Sequence, residues 1–253
     1  MLKKYCLFLF CFSLLASEAR ARNTPAPVVE REVKAVSKVS LELETGAGII
    51  SGSADGGAFT ANASLRHQIK KLRQTLSFSS LLTTDTAPNG KQARQVGGSY
   101  RLRYFWFPVF SSFVGGAISN QPLYGQNLSA NGQGGMALHL FLKQKRSARF
   151  EAGYSRNHAE ETPGGASNSN SFFTDMTWEE PLAEKFSFAE ALSYSTNLAN
   201  LEGYSFGTES AINYQFKKSL KLSLNFSGFF NNQPVTGFQQ WDFLALGTMG
   251  ISF

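Results

Sequence analysis

The chain has 253 residues, of which 23 are Phe and 23 Gly, with a net charge of +6 and a mean hydropathy of −0.18. Beyond residue 21 there is no run of about eighteen apolar residues, which excludes a helical membrane protein. The mild positive charge does not point to nucleic acid, and the low hydropathy leaves a transmembrane β-barrel open, because barrel strands alternate apolar with polar residues.

Residues 1–21 read as a secretory signal peptide. Lys3 and Lys4 form a basic start, Tyr5–Leu15 is a short apolar run, and Ala19-Arg20-Ala21 places cleavage after Ala21. Cys11 lies between Phe10 and Phe12 and lacks the small neighbours of a lipoprotein site. Cleavage would remove both cysteines, Cys6 and Cys11, together with three bases and one acid, leaving a charge of +4. A secreted chain without disulfides needs another means of closure, and the hydrogen-bond ladder of a barrel supplies one. Residues 22–38 (RNTPAPVVEREVKAVSK) are polar and do not alternate, so a flexible periplasmic tail is expected.

From Val39 to Phe253 the chain reads as one all-β domain, a single closed antiparallel transmembrane barrel of about twelve strands. Each segment is near the ~10 residues that a tilted spanning strand needs. A period of two gives a strand two different faces. Val39–Ile50 sets Val39, Leu41, Leu43, Thr45, Ala47 and Ile49 against Ser40, Glu42 and Glu44, and GSADGG (52–57) turns the chain. Ala58–Ile69 follows, then a turn at Lys70–Arg73, a strand over Gln74–Leu82 and a loop at Thr83–Lys91. Gln92–Phe105 sets Val96, Tyr100, Leu102 and Tyr104 against Gln95, Arg101 and Arg103, with a turn at Trp106–Pro108. Val109–Ser119 is glycine-rich and ambiguous in phase; Asn120–Gln126 is a loop, Asn127–Leu142 a strand and Lys143–Arg146 a turn. Ser147–Arg156 alternates cleanly and Asn157–Asn168 is the longest expected loop. Ser169–Glu179, Lys185–Thr196, Tyr204–Phe216 and Leu220–Phe230 follow, and the closing strand runs from Trp241 to a terminal aromatic, Phe253.

Two regularities go beyond alternation. With both termini in the periplasm, the short connections all fall on the periplasmic side and the longer ones outside, as in outer-membrane barrels. Aromatic residues also gather at strand ends on the outward face. Tyr104, Trp106, Trp178, Phe186, Tyr214, Phe216 and Phe253 would form a periplasmic girdle, and Tyr154, Phe172, Tyr194, Tyr204, Phe230 and Trp241 an outer one, because amphipathic rings prefer the headgroup zone. A sheet in hydrocarbon must close, since each unpaired edge amide costs several kcal/mol.

Several stretches together resemble the family of salt-induced outer-membrane proteins: the glycines of the first strand (Gly46, Gly48), Arg66 in the second, RFEAGY (Arg149–Tyr154), LKLSLN (Leu220–Asn225) and the final GISF. The resemblance spans Val39–Phe253. A Gly-Asn pair expected after the first strand is replaced by Gly52-Ser53, with Asp55 nearby. The resemblance implies an outer-membrane location in a Gram-negative bacterium and a barrel fold, and it names no substrate. The closing strand ending at Phe253 would engage the barrel-assembly machinery, and outer-membrane lipids are the expected surroundings of a monomer.

Inward positions carry both signs: the acids Glu42, Glu44, Glu151, Asp175, Glu209 and Asp242, and the bases Arg66, Arg101, Arg103, Arg149 and Lys221. They fit either a charged pore lining that selects small anions or zwitterions or a salt-bridge network that fills a narrow barrel. Arg101 and Arg103, two apart on one face, could hold a carboxylate or phosphate, or meet an acid across the lumen. Glu190 shares the outward parity of Phe186, Phe188, Leu192 and Tyr194; a bulge that flips its phase is the favoured explanation, and a contact with another protomer or partner the second. The periplasmic turns are basic (Lys70, Lys71, Arg73; Lys143, Lys145, Arg146; Lys217, Lys218), consistent with anionic headgroups nearby or with plain solvation.

Of the three histidines, His67 has outward parity, His139 points inward and His158 falls in a loop. None sits in a His-x-Ser arrangement, there is no Gly-x-Ser-x-Gly elbow, and no His/Cys cluster or phosphate-cradling glycine loop calls for a metal or cofactor. The expectation is a non-enzymatic outer-membrane barrel, either a narrow solute channel or a structural, stress-responsive barrel with a largely filled lumen. A lipid-modifying enzyme of the outer membrane and a soluble periplasmic β-sandwich that binds a ligand are the alternatives.

Overall fold

A computed structural model describes residues 37–86, 92–122, 126–141, 146–161 and 164–253. The expected signal peptide and all of the expected tail except its last two residues lie outside these. Twelve strands follow in order: β1 (Lys38–Ser51), β2 (Gly56–Ile69), β3 (Leu72–Thr86), β4 (Gln92–Phe107), β5 (Phe110–Gln121), β6 (Gln126–Phe141), β7 (Ser147–Glu161), β8 (Ala166–Pro181), β9 (Phe186–Asn197), β10 (Tyr204–Lys217), β11 (Leu220–Asn231) and β12 (Trp241–Ser252).

Each strand pairs antiparallel with its sequence neighbours, and β12 returns to β1 to close the barrel. The seam is fully laddered from Glu42↔Ser252 to Ser51↔Phe243. The final residue is tied in as well: Phe253 N donates to Leu41 O at 2.9 Å and Leu41 N to Phe253 O at 3.2 Å. With no free edge, every strand satisfies its amides internally, which is the condition for a sheet in hydrocarbon.

Burial is inverted relative to a water-soluble sheet. The apolar side chains of one parity are exposed around the outside, among them Val39, Phe59, Phe78, Tyr100, Phe150 and Phe226. The opposite parity points inward and buries charge, with Glu151 at 1%, Arg103 at 2% and His139 at 2% exposure. No soluble β-sandwich keeps its charges inside and its aromatic residues out, so the sandwich alternative does not describe this fold.

Several strands run beyond their expected limits at the end of the barrel opposite the termini. β3 continues to Thr86, β7 to Glu161, and β8 starts at Ala166. The loops expected at 83–91 and 157–168 are therefore mostly hairpin; of these, 87–91 and 162–163 lie outside the described residues. In water a ladder can continue without apolar alternation, so the sequence pattern ends before the strand does. At the termini end the turns are short. The first is Lys70-Lys71 only, with Lys70 at φ 51°. Arg73, expected in that turn, instead lies inside β3 and is buried. Trp106 is likewise the penultimate residue of β4 rather than part of a turn. The expected turn residues Lys143 and Lys145 lie outside the described residues.

Glu190 also corrects an expectation. β9 pairs with β8 and β10 without a register shift, so no bulge rotates it inward. It keeps the outward parity of Phe188 and Leu192. Thr208 Oγ1 donates to its Oε1 at 2.6 Å and Ser210 Oγ to its Oε2 at 2.5 Å. Both carboxylate oxygens are satisfied on the outer surface, which removes the reason for a bulge.

Candidate functional site in the barrel lumen

The period-two rule delivers the inward residues, and strand order decides which of them meet. β4 carries Arg101, Arg103 and Phe105 inward. β5, ambiguous from sequence, presents Ser111 and Phe113 inward and Val114 and Ile118 outward. β6 adds His139, and β7 adds Arg149 and Glu151.

These strands converge on Glu151. Arg101 Nη1 lies 3.0 Å from its Oε2 and Arg149 Nε 2.9 Å from its Oε1, and Arg103 Nη2 also bonds Oε1. The acid that answers the Arg101/Arg103 pair is thus three strands away. Around this knot the aromatic residues supply packing. Arg101 lies over the Phe113 ring at 4.8 Å, Arg103 at 5.4 Å, and Arg73 over Phe105 at 4.8 Å. Phe113 meets Phe173 from β8 at 6.1 Å between centroids. Phe173 in turn depends on Gly153, where a Cβ would come within 2.9 Å of the Phe173 Cζ. Arg73 is held by Gln68 Oε1, at 3.1 Å from Nε and 2.7 Å from Nη2.

In a twelve-stranded ring, strands six apart face each other. β10 therefore faces β4, and β1 faces β7. That far wall is built of small inward residues, including Ala189, Ala211 and Ser223. It carries its own acids: Glu42 and Glu44 on β1, both reached by Lys221 Nζ at 3.2 and 3.8 Å, and Glu209 on β10. Asp175 on β8 is the cross-strand partner of Glu151. Arg66 lies on β2, between Ser40 and Thr75 in register. Long charged side chains therefore stand on both walls, gathered round Glu151 on one and round Lys221 on the other.

Exposure separates the charged residues into two kinds. Arg103 and Glu151 are sealed at 2% and 1%, whereas Arg101 at 21%, Arg149 at 16%, Lys221 at 18% and Glu42 at 23% reach solvent inside the barrel. Thr60 Oγ1 and Asn62 Oδ1 on β2 are buried and face inward without a protein hydrogen-bond partner.

The end opposite the termini is built differently. Ile50, Ala58 and Leu81, from three adjacent strands, form an apolar cluster on the inside, with Leu244 and Leu246 of β12 against it. The β1–β2 turn folds in over them and seats Ala54 at 4% exposure. Gly52 allows this with φ 131°. Asp242 Oδ1 holds the turn by accepting from Ser53 N at 2.5 Å, and Gln239 N donates to Ser53 Oγ at 3.1 Å. Asp242 is thus a clasp of this turn at the far mouth, well apart from the Glu151 knot. The sequence carries a signal for this cluster in its apolar residues at inward parity, Ile50, Ala58 and Leu81.

The aromatic residues expected in girdles lie on the outer face. At the termini end Tyr104 meets Trp106 at 4.9 Å, and Phe186 meets Tyr214 at 4.8 Å, with Phe216 beyond. Trp178 contacts Phe188 at 6.3 Å, and Phe253 is exposed on the closing strand. At the far end Tyr204, Phe230 and Trp241 run in sequence, at 6.0 and 4.8 Å. Tyr154 and Phe172 are exposed and paired across β7–β8, and Tyr194 pairs with Phe206.

Two hydroxyl–imidazole pairs occur among the described residues: an exposed one with Ser37 Oγ 3.5 Å from His67 Nε2, and an inward one with Ser111 Oγ 2.8 Å from His139 Nε2 and Arg103 Nη1 3.3 Å from the same nitrogen. Ser111 is fully buried. An acyl-transfer nucleophile must reach its substrate and be paired with an oriented base; this serine is sealed beneath the arginine knot. His158, expected in a loop, lies in β7 and bonds Asn168 at 3.1 Å. Among the described residues no group of three metal-ligating side chains stands together.

A family model described as "Protein of unknown function, DUF481" matches residues 43–253. No curated protein matches the sequence significantly. Among solved structures, the NanC porin is similar at 11% identity and a TM-score of 0.57, over 84% of this chain and 98% of that one. The COG4313 outer membrane channel from Pseudomonas putida F1 is similar at 10% identity and a TM-score of 0.55, over 93% and 100%. At these identities the likeness is one of fold: a closed twelve-stranded antiparallel barrel of the kind found in outer-membrane channels.

Proposed function

The chain belongs to the family described as a protein of unknown function, DUF481, and we propose that it is an outer-membrane barrel forming a narrow, mixed-charge channel for small anionic or zwitterionic solutes. The observation that carries this reading is the set of charged side chains that keep partial exposure on two facing walls of the lumen. Arg101 and Arg149 reach solvent from one wall, and Glu42 with Lys221 from the other. Opposed charges across a narrow passage orient a dipolar solute and strip little of its hydration, which favours passage over tight binding.

The exposed apolar outer face supports a membrane location, since water-soluble monomers do not expose an apolar belt of this extent. The short turns beside both ends of the barrel chain support an orientation with the termini in the periplasm, and Phe253 on the closing strand supports recognition by the barrel-assembly machinery. The resemblance to salt-induced outer-membrane proteins fits a narrow lumen that limits solute flow; protein abundance across a range of external salt tests that side of the reading.

The direct test is single-channel recording of the refolded chain, without residues 1–21, in a planar bilayer. Small discrete openings with weak anion preference are expected. A folded, heat-modifiable barrel that stays silent under all voltages would overturn the channel reading in favour of a structural barrel.

A further inference from the structure

The outer face of the barrel is not uniform. On most of it large apolar side chains stand side by side. Across β1, β2 and β3 the outward row Thr45↔Ala61↔Ser80 is short, and Ala63 lies in the next row between Leu43 and Phe78. The short residues floor a groove of about 480 Å³, walled by Phe78, Val96, Met249 and Ile251.

Below this groove, toward the termini, the same strands end in cationic and hydrogen-bonding side chains. Lys70 and Lys71 form the β2–β3 turn, and Lys38 opens β1. One rung above the turn region, His67 pairs with Gln74 on the outward face. Gln74 Oε1 accepts from Tyr100 at 3.2 Å, which leaves its amide nitrogen as a donor. Lys71 uses one hydrogen on Trp106 O at 3.3 Å and has two more. From the turn to the near rim of the groove, at Ala63 and Phe78, is seven residues, and to its floor at Ala61 and Ser80 nine, roughly 17 and 23 Å along the membrane normal for a strand tilted by about 40°. The rim thus lies about one leaflet, roughly 15 Å, from the lysines, and the floor lies deeper.

Cations at headgroup level, donors at the next level and an apolar trough whose rim is one leaflet deep match the anatomy of one lipid molecule. We propose that the outer face of β1–β3 binds an anionic glycerophospholipid of the periplasmic leaflet. Its phosphate lies at Lys70 and Lys71, its ester oxygens lie near His67 and Gln74, and the end of one acyl chain enters the trough over Ala63 and reaches toward Ala61. The inference rests on the membrane-embedded reading above and adds a ligand class to it. The attraction is between a phosphodiester anion and two ammonium groups, which a zwitterionic headgroup offsets with its own cation.

The test is native mass spectrometry of the refolded barrel, residues 22–253, with equimolar phosphatidylglycerol and phosphatidylethanolamine. Wild type should retain phosphatidylglycerol with a preference of about tenfold, as expected from two lysines near a charged surface. Lys70→Asn with Lys71→Gln should bring the two lipids to parity; Asn is chosen at 70 because it tolerates positive φ. Ala61→Phe should fill the trough and lower retention of both lipids while leaving the headgroup preference in what remains. Equal retention by wild type, a preference insensitive to the lysine variant, or a preference for lipid A overturns the lipid site while leaving a detergent-folded barrel, and thus the membrane reading, intact. A chain that folds and stays dispersed without detergent or lipid overturns both.

Discussion

Glu190 stands opposite Ser210 across the β9–β10 ladder and accepts its hydroxyl at 2.5 Å on the outward face of the barrel, about midway between Phe186 and Tyr194. Two hydroxyls satisfy the carboxylate locally, but neither removes the cost of an acid in hydrocarbon. Replacing it by leucine, Glu190→Leu, should therefore raise stability by about 1 kcal/mol or more, the lower part of the range for lipid-facing charges. Glu190→Gln should fall between. The midpoint of urea unfolding in detergent or liposomes measures this, and a clear loss for Glu190→Leu would rule out a lipid-exposed position.

Arg101, Arg103 and Arg149 converge on the Glu151 carboxylate. Glu151→Gln keeps the shape and removes the charge, leaving three guanidiniums together. Breaking a buried ion pair from one side costs about 3–5 kcal/mol. The variant should unfold at markedly lower urea or lose its compact, heat-modifiable band at lower temperature. Near wild-type stability would mean that the knot contributes little to holding the barrel.

Arg101 and Arg103 are two residues apart but should behave differently. Arg103 is sealed beneath Phe113 and Glu151, so Arg103→Ala should cost several kcal/mol, as breaking a buried pair does, and would show first as reduced refolding yield. Arg101 reaches the lumen, so Arg101→Ala should refold normally and shift ion selectivity toward cations in the bilayer recordings. Equal effects of the two on stability, with no change in selectivity, would contradict the division drawn from their exposure.

Asp242 clasps the β1–β2 turn through Ser53 N. Asp242→Ala leaves that buried amide unsatisfied, at a cost of about 1–3 kcal/mol. The turn at 52–55 should become accessible to protease from outside, and single-channel conductance should rise as Ala54 leaves its apolar seat. An unchanged digestion pattern would show that Gln239 and the apolar contacts hold the turn without Asp242.

The strand count, the phase of ten of the twelve strands and the outward placement of the girdle aromatics were legible from residue order, because a period of two reports directly which face each residue takes. β3 carried no assigned phase, and β5 was ambiguous. Its glycines erase the alternation, and only its register with β4 and β6 assigns Ser111 and Phe113 to the interior. Strand ends beyond the apolar belt were also hidden, since ladders in water need no alternation. Which inward charges meet could not be read along the chain. Arg101 and Glu151 are fifty residues apart, and their contact depends on the closure and curvature of the whole ring. The same holds for Glu190, whose outward position is tolerable only because the β10 register brings Thr208 and Ser210 to it. Periodicity is a local property and assigns faces; contact across a closed barrel is a property of the assembled ladder and exists only once every strand has found its neighbour.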